Sequence, residues 1–206
     1  MGSLIAVTAC LKRCSVAVAV GNVVREINED VDAAANLVHL ANKLLKAQNI
    51  APNELVGVIT ASGPGSFTGI RVAQSFARGI ALALKIPAAS VSYFDVIRSV
   101  CEEKIAADDT LTVIKSEKEQ IYYEINSGNF RKAGVAAADD LECPLSERFW
   151  LLGDAVDEVS PHFAGKIVGV CAVDDFRNAA HLLNFSGILC ESSKIDTLYI
   201  SAQSRP

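Results

Sequence analysis

The chain has no apolar run long enough to cross a bilayer: its longest, Leu4 to Ala9 and Ile80 to Leu84, fall far short of the ~18 residues that a span needs. Nor does the Met-Gly-Ser start open a basic n-region followed by an apolar h-region. Both absences lead to the expectation of a cytoplasmic protein without membrane contact. Its 6 cysteines (Cys10, Cys14, Cys101, Cys143, Cys171, Cys190) contain no Cys-x-x-Cys pair, which excludes a zinc ribbon or a dithiol redox motif. Their scatter fits reduced, mostly buried thiols, and a bridge between Cys10 and Cys14 across their expected turn is disfavoured in that compartment. Basic charge is short as well, with 19 Lys and Arg against 24 Asp and Glu and a net charge of -5. A protein that grips nucleic acid unaided needs a basic footprint, so any RNA contact here would have to come through a basic partner. The pairs Lys12-Arg13 and Arg131-Lys132 fall in expected turns and read as solvated surface.

Common catalytic motifs are missing too. Residues 63 to 71, Gly63-Pro64-Gly65-Ser66-Phe67-Thr68-Gly69-Ile70-Arg71, join the strand-like Val56 to Thr60 to a long apolar helix, which is where an α/β protein places a phosphate or a partner. A phosphate loop of the Walker type ends in Gly-Lys-Ser/Thr, whereas Gly69 is followed by Ile70 and Arg71. The spacing of Gly63, Gly65 and Gly69 is near a dinucleotide fingerprint, but Pro64 removes an N–H and Phe67 crowds the approach. Ser66 lacks a Gly-x-Ser-x-Gly elbow, and His39, His162 and His181 have no recognisable sequence relation to it. Glycine freedom, the fixed φ of Pro64 and the capping capacity of Ser66 instead describe a tightly shaped helix entry.

With 206 residues, 50% of them hydrophobic and 21% charged, the chain can bury a core as one large or two small domains. Leu4 to Ala9, Ser15 to Val20 and Val23 to Asn28 read as a strand meander with a turn at Gly21-Asn22. A helix runs next from Asp30 or Asp32 to about Gln48, with Leu37, Val38, Ala41, Leu44 and Leu45 on one face. Strand 56–60 leads through the loop to helix 67–85, ended by Pro87, and then to a helix from Ser92 to about Glu103. The polar turn Ala107-Asp108-Asp109 marks a lobe boundary. Beyond it lie strands at 111–114, 120–126, 149–152 and 166–170, a helix from Asp174 to about Leu183, and a short strand or helix end at Leu198-Tyr199-Ile200.

Taken as a block, Gly63 to Arg71 resembles the signature of the TsaB (YeaZ) family, the non-peptidase relatives of the so-called glycoproteases. The resemblance includes the hairpin from Leu4 to Val20 with Thr8 and Cys14-Ser15-Val16-Ala17, continues through Pro87 to Ser92, and fades after about Tyr123. It implies an α/β, actin-like ATPase fold (ASKHA, ribonuclease H-like) in two lobes. Residues 1–106 would form the first lobe with the signature loop, and 107–206 a degenerate second lobe. This fold hydrolyses ATP with carboxylates on two phosphate-binding hairpins, which hold Mg²⁺ and position water. The family pattern places the first acid before Thr8, where this chain has Val7, and the second at the end of strand 111–114, where it has Lys115-Ser116-Glu117. A histidine common near the start of the first helix is replaced by Ala33.

The resemblance therefore implies a non-catalytic, cofactor-free and metal-free subunit. It would pair with a TsaD-like catalytic subunit and, with a TsaE-like ATPase, support threonylcarbamoylation of adenosine 37 of tRNAs that read ANN codons. It would meet tRNA only through the complex, and homodimerise when alone. Helices 31–48 and 67–85 are apolar beyond one stripe and rich in Ala, so a partner helix can approach closely. Leu37, Ala41, Leu44, Leu45, Ala73, Phe76, Ala77 and Ile80 are the expected partner-interface residues, unless their faces are buried within the lobe itself. An ATP-dependent kinase or hydrolase of the same fold, or a homodimeric structural protein outside the tRNA pathway, remain the alternatives.

Overall fold

Three strands rich in Val and Ala form the antiparallel meander β1 (Ser3–Cys10), β2 (Arg13–Val20) and β3 (Val23–Glu29), the last two joined by a tight turn at Gly21-Asn22. Gly21, at φ 56°, supplies the left-handed residue at the second turn. The chain then crosses over twice. Helix α1 (Ala33–Ala47) leads to β4 (Leu55–Gly63), which runs parallel to β1, and α2 (Phe67–Leu84) leads to β5 (Ala88–Ser92), parallel to β4. The resulting sheet has the order β3-β2-β1-β4-β5. The computed structural model describes residues 2–10, 13–30, 33–103, 105, 109–116, 119–128, 130–145, 148–190 and 195.

Leu37, Leu40, Ala41, Leu44 and Leu45 recur at helical spacing and are all buried against Ile5, Val7, Val16, Val18 and Val58. Fully burying one such leucine is worth about 1.5–3 kcal/mol, so this face fixes α1 on the sheet. On α2, Ala73 and Ala77 reach the same core, and their small side chains keep the helix backbone close to the strands.

Strand β5 runs directly into α3 (Tyr93–Cys101), and the chain divides into two compact units between Tyr93 and Phe94. The boundary expected near residue 106 thus compares with a division thirteen residues earlier in the chain order, at a junction with no polar linker for composition to mark. A second division falls between Phe176 and Arg177, after which the chain returns to the first unit.

In the second unit, β6 (Thr110–Lys115), β7 (Ile121–Ser127) and β8 (Phe130–Ala136) form another antiparallel meander. Parallel strands β9 (Phe149–Gly153) and β10 (Ile167–Ala172) complete the order β8-β7-β6-β9-β10. This repeats the path of the first sheet strand for strand, and two sheets so ordered in one α/β chain are the actin-like arrangement that the resemblance implies. Even the ends of the fourth strands agree: Gly63 closes β4 at φ 111° and Gly153 closes β9 at φ 118°. The connections beyond these two glycines differ, since β4 leads to an 18-residue helix and β9 only to α4 (Val156–Val159). Leu111, Val113, Ile125, Phe149 and Leu151 form this unit's core with Val156 and Val159.

Two readings of the sequence change. Arg131 and Lys132 lie in strand β8 rather than in a turn, because Arg131 is held by ion pairs to Glu124 and Asp95. The helix expected from Asp174 shrinks to α5 (Ala179–Leu182), succeeded by 3-10 turns through Cys190. Its backbone N–H groups are caught by the first sheet instead: Ala179 donates to Ser15 Oγ at 2.9 Å and Ala180 to Glu26 Oε1 at 3.1 Å. Leu198-Tyr199-Ile200 lies outside the described residues.

Candidate functional site at the signature loop

Strand β4 ends in a backbone that only glycine adopts readily, and the next peptide bond, Gly63–Pro64, is cis. Gly63 and Pro64 are buried, while Gly65 and Ser66 are half-buried. Ser66 caps α2: its Oγ accepts the Gly69 N–H at 3.3 Å, and its carbonyl accepts the Ile70 N–H at 2.9 Å. Among the described residues no histidine bonds Ser66. His39 is exposed on α1, His162 lies 3.4 Å from Asp139, and His181 is in α5. The serine is a helix cap in this structure.

From the cap onward the loop turns outward. Phe67 is 53% exposed, Thr68 and Arg71 are exposed, and the Arg71 guanidinium sits 3.8 Å over the centre of the Phe67 ring. Between α1 and α2 these residues border a groove of about 580 Å³, lined by Leu37, Val38, Phe67, Arg71, Val72 and Phe76 among others.

The eight expected interface residues divide differently from the sequence reading. Leu37, Ala41, Leu44, Leu45, Ala73 and Ala77 are buried in the core of their own unit, and Phe76 and Ile80 are half-buried against it. Their burial has a simple cause: both helices pack on one five-stranded sheet, and these apolar side chains are used there. The outward apolar residues are instead Val38 at 57%, Phe67, and Leu82 at 82% exposure.

At the two positions where the family pattern has acids, tertiary structure adds residues that spacing could not show. Val7 is fully buried in the first core. Beside it, the Thr8 hydroxyl bonds the hydroxyl of Tyr93, and both residues are fully buried, so two polar groups near the strand ends satisfy one another. Lys115 closes β6. Its N–H donates to Asp154 Oδ1 at 2.8 Å, and its ammonium pairs with Glu158 at 3.0 Å, a hydrogen bond that raises the lysine above its ordinary range. Asp154 thus stands next to the position of the missing acid, on the neighbouring strand end. Glu117 lies outside the described residues, as does the Ala33 side chain. Among the described residues no three His, Cys, Asp or Glu side chains cluster as a metal site would need.

Among the described residues the most buried charge lies elsewhere in the second unit. Glu124, 2% exposed on β7, accepts from Arg98 at 3.1 Å and from Arg131 at 2.7 Å. Both arginines also bond Asp95 Oδ1, at 2.7 and 2.8 Å. Burial pushes the Glu124 carboxyl up, against the pull of its two arginines. The sequence signal is a single charged residue set among Ile121, Tyr122, Tyr123 and Ile125 of β7.

Known proteins share both the sequence and the fold of this chain. Residues 31–145 match the family model described as TsaD, tRNA N6-adenosine threonylcarbamoyltransferase. The chain is 27% identical over 122 residues to the tRNA threonylcarbamoyladenosine biosynthesis protein TsaB of Buchnera aphidicola subsp. Acyrthosiphon pisum, covering 58% of this chain and 55% of that protein. It is 24% identical over 123 residues to the protein of the same name from Haemophilus influenzae, covering 59% of this chain and 52% of that one. The chain spans about half the length of the curated relatives it matches. Among solved structures, YeaZ from Pseudomonas aeruginosa superposes with a TM-score of 0.70 at 19% identity, covering 97% of this chain and 100% of that one. Among the described residues no helix is long and apolar enough to cross a membrane.

Proposed function

Since the chain belongs to the TsaD family, and within it to the TsaB (YeaZ) group, we propose that it is a non-catalytic subunit of the cytoplasmic machinery that threonylcarbamoylates adenosine 37 of tRNA. Its partner is a TsaD-like catalytic subunit, and it meets tRNA and a TsaE-like ATPase only through that complex. One observation carries this reading: the signature loop spends its serine on capping α2 and presents Phe67 and Arg71 on an apolar groove between two helices. A catalytic loop would aim its hydroxyl or its N–H groups at a reacting group; this one shapes a surface.

The placement of the outward residues revises where partner contact is sought. Ala77→Glu would introduce a charge into the unit's own core and is expected to unfold it. Val38→Glu and Phe67→Ala change exposed groove residues, so the fold should hold while binding fails. The test is calorimetric titration of the purified chain with the TsaD-family protein of the same cell, alongside rescue of a TsaB-depleted strain. Binding and rescue by the wild type, both lost in the two surface variants at unchanged melting temperature, is the expected result. Full rescue by both variants, or no binding by the wild type, overturns it.

A further inference from the structure

One row of residues crosses the whole second sheet. Its register sets Arg131 of β8, Asn126 of β7, Thr110 of β6, Trp150 of β9 and Gly169 of β10 opposite one another in turn, on one face. The neighbours of three of them, Ile125, Leu111 and Leu151, turn the other way into the unit's core. Thr110 is 2% exposed, and its Oγ1 and the Nε1 of Trp150 are both shielded from solvent. Among the described residues neither atom has a hydrogen-bond partner. A buried polar group left unmatched is costly, and two of them at one register position call for a shared explanation.

Gly169 shows which way the indole is turned. A Cβ there would lie 2.5 Å from Cζ3 and 2.7 Å from Cη2 of Trp150, so the benzene end of the ring covers the glycine on the β10 side. The pyrrole N–H sits on the opposite edge of the ring and faces β6, the other neighbour of β9 and the strand that carries Thr110. We infer that one water molecule is bound between Trp150 Nε1 and Thr110 Oγ1, a built-in ligand that ties the start of β6 to β9. Chemistry selects this ligand. The indole N–H only donates, so its partner must accept, which excludes a metal ion or an ammonium, and the hydroxyl can give or take the second bond. Distance selects it as well: neighbouring strands lie about 4.8 Å apart, a span that one water bridges with two hydrogen bonds of about 2.8–3.0 Å meeting at its bent angle. Asn126, the register partner of Thr110 on β7, sets another polar side chain beside the pair, and a buried water commonly takes a third partner.

Trp150 is the chain's only tryptophan, so its indole N–H gives one signal in the full, ¹⁵N-labelled chain. NOE and ROE transfer between that proton and water should have opposite signs, the mark of a water that tumbles with the protein. No transfer, or transfer of equal sign through exchange with solvent, would overturn the inference. A high-resolution crystal structure should show an ordered oxygen within about 2.7–3.2 Å of both Nε1 and Oγ1. A direct bond between the two side chains, or no density between them, would equally overturn it. Thr110→Val then separates a wet site from a dry one by the sign of its effect. In a dry site the valine removes an unmatched hydroxyl and the melting temperature rises, whereas with water bound it strips a partner from that water and should lower the melting temperature by about 2–4 °C. A rise, or no change, contradicts the bound water. Should the variant fail to fold, the NMR and crystallographic readouts on the wild-type chain decide the matter without it.

Discussion

A Cβ on Gly69 would lie 1.7 Å from the carbonyl oxygen of Ala9, so the first turn of α2 rests directly on the end of β1. That atom is backbone and cannot rotate away. Replacing glycine by alanine inside a helix ordinarily stabilises by about 1 kcal/mol, but here overpacking should reverse the sign and cost about 1–3 kcal/mol. Urea unfolding of Gly69→Ala reads the difference as a lower midpoint at unchanged slope. A midpoint at or above that of the wild type would show that α2 does not rest on β1 in solution. Gly69→Val should be worse still.

Ser66→Ala should cost about 1 kcal/mol, the loss of one N-cap. Complementation separates the roles of this residue. A slightly destabilised variant that rescues a TsaB-depleted strain fits the capping role, whereas a stable variant that fails to rescue would assign the hydroxyl to function.

The Glu124 carboxyl is raised by burial, so its native form holds a proton to higher pH than the unfolded chain does. Linkage gives the sign: the contribution is complete below the unfolded pKa and is lost as pH rises through the folded one. Arg98→Ala removes one of the two guanidinium partners, should cost about 1.5–3 kcal/mol, and should push the carboxyl further up. The deficit of this variant against wild type is therefore expected to be smaller at pH 5 than at pH 8. In a Glu124→Gln background that pH dependence should vanish. Equal deficits at both pH values would mean that Glu124 does not titrate in this range.

Burial, with a smaller contribution from the charge of Glu29, pushes the Cys14 thiol up to about 11. The native chain should leave this thiol unmodified by a disulfide reagent at pH 8, and expose it only on unfolding. Its contribution to stability should fall as pH climbs from 9.0 through about 11. Mass spectrometry of the labelled native chain checks this, and rapid labelling of Cys14 would contradict its burial.

Isolated chain is expected to bind Mg-ATP poorly and to hydrolyse none above background. Val7 is sealed in a core, and Lys115 places a cation where the metal-binding acid of the family pattern would stand. Calorimetry that showed micromolar, Mg²⁺-dependent ATP binding would instead assign Asp154, beside Lys115, to a working site.

The first meander, both long helices and the signature loop were legible from the sequence because their cause is local. Alternating β-branched residues, a 3–4 apolar spacing and a Ser three residues before Gly69 carry their own physics. Strand β8 was not legible: Arg131-Lys132 looks like a turn until Glu124 and Asp95, distant in the chain, hold Arg131 in place. The short α5 was hidden for the same reason, since Ser15 and Glu26 bond its first N–H groups from more than 150 residues away.

The candidate site divides along the same line. Sequence alone determined that the loop lacks a phosphate-binding lysine and that the two helices are apolar, and the family resemblance implied that Val7 and Lys115 stand where acids are expected. Tertiary structure decided which side of each helix is spent on the sheet: Leu37, Leu44 and Ala77 went inward, and Val38, Phe67 and Leu82 stayed outside. It also set Tyr93 against Thr8 and Asp154 beside Lys115. Composition and periodicity report how much apolar surface a helix owns, but only the packing of both helices on one sheet settles what remains to face a partner.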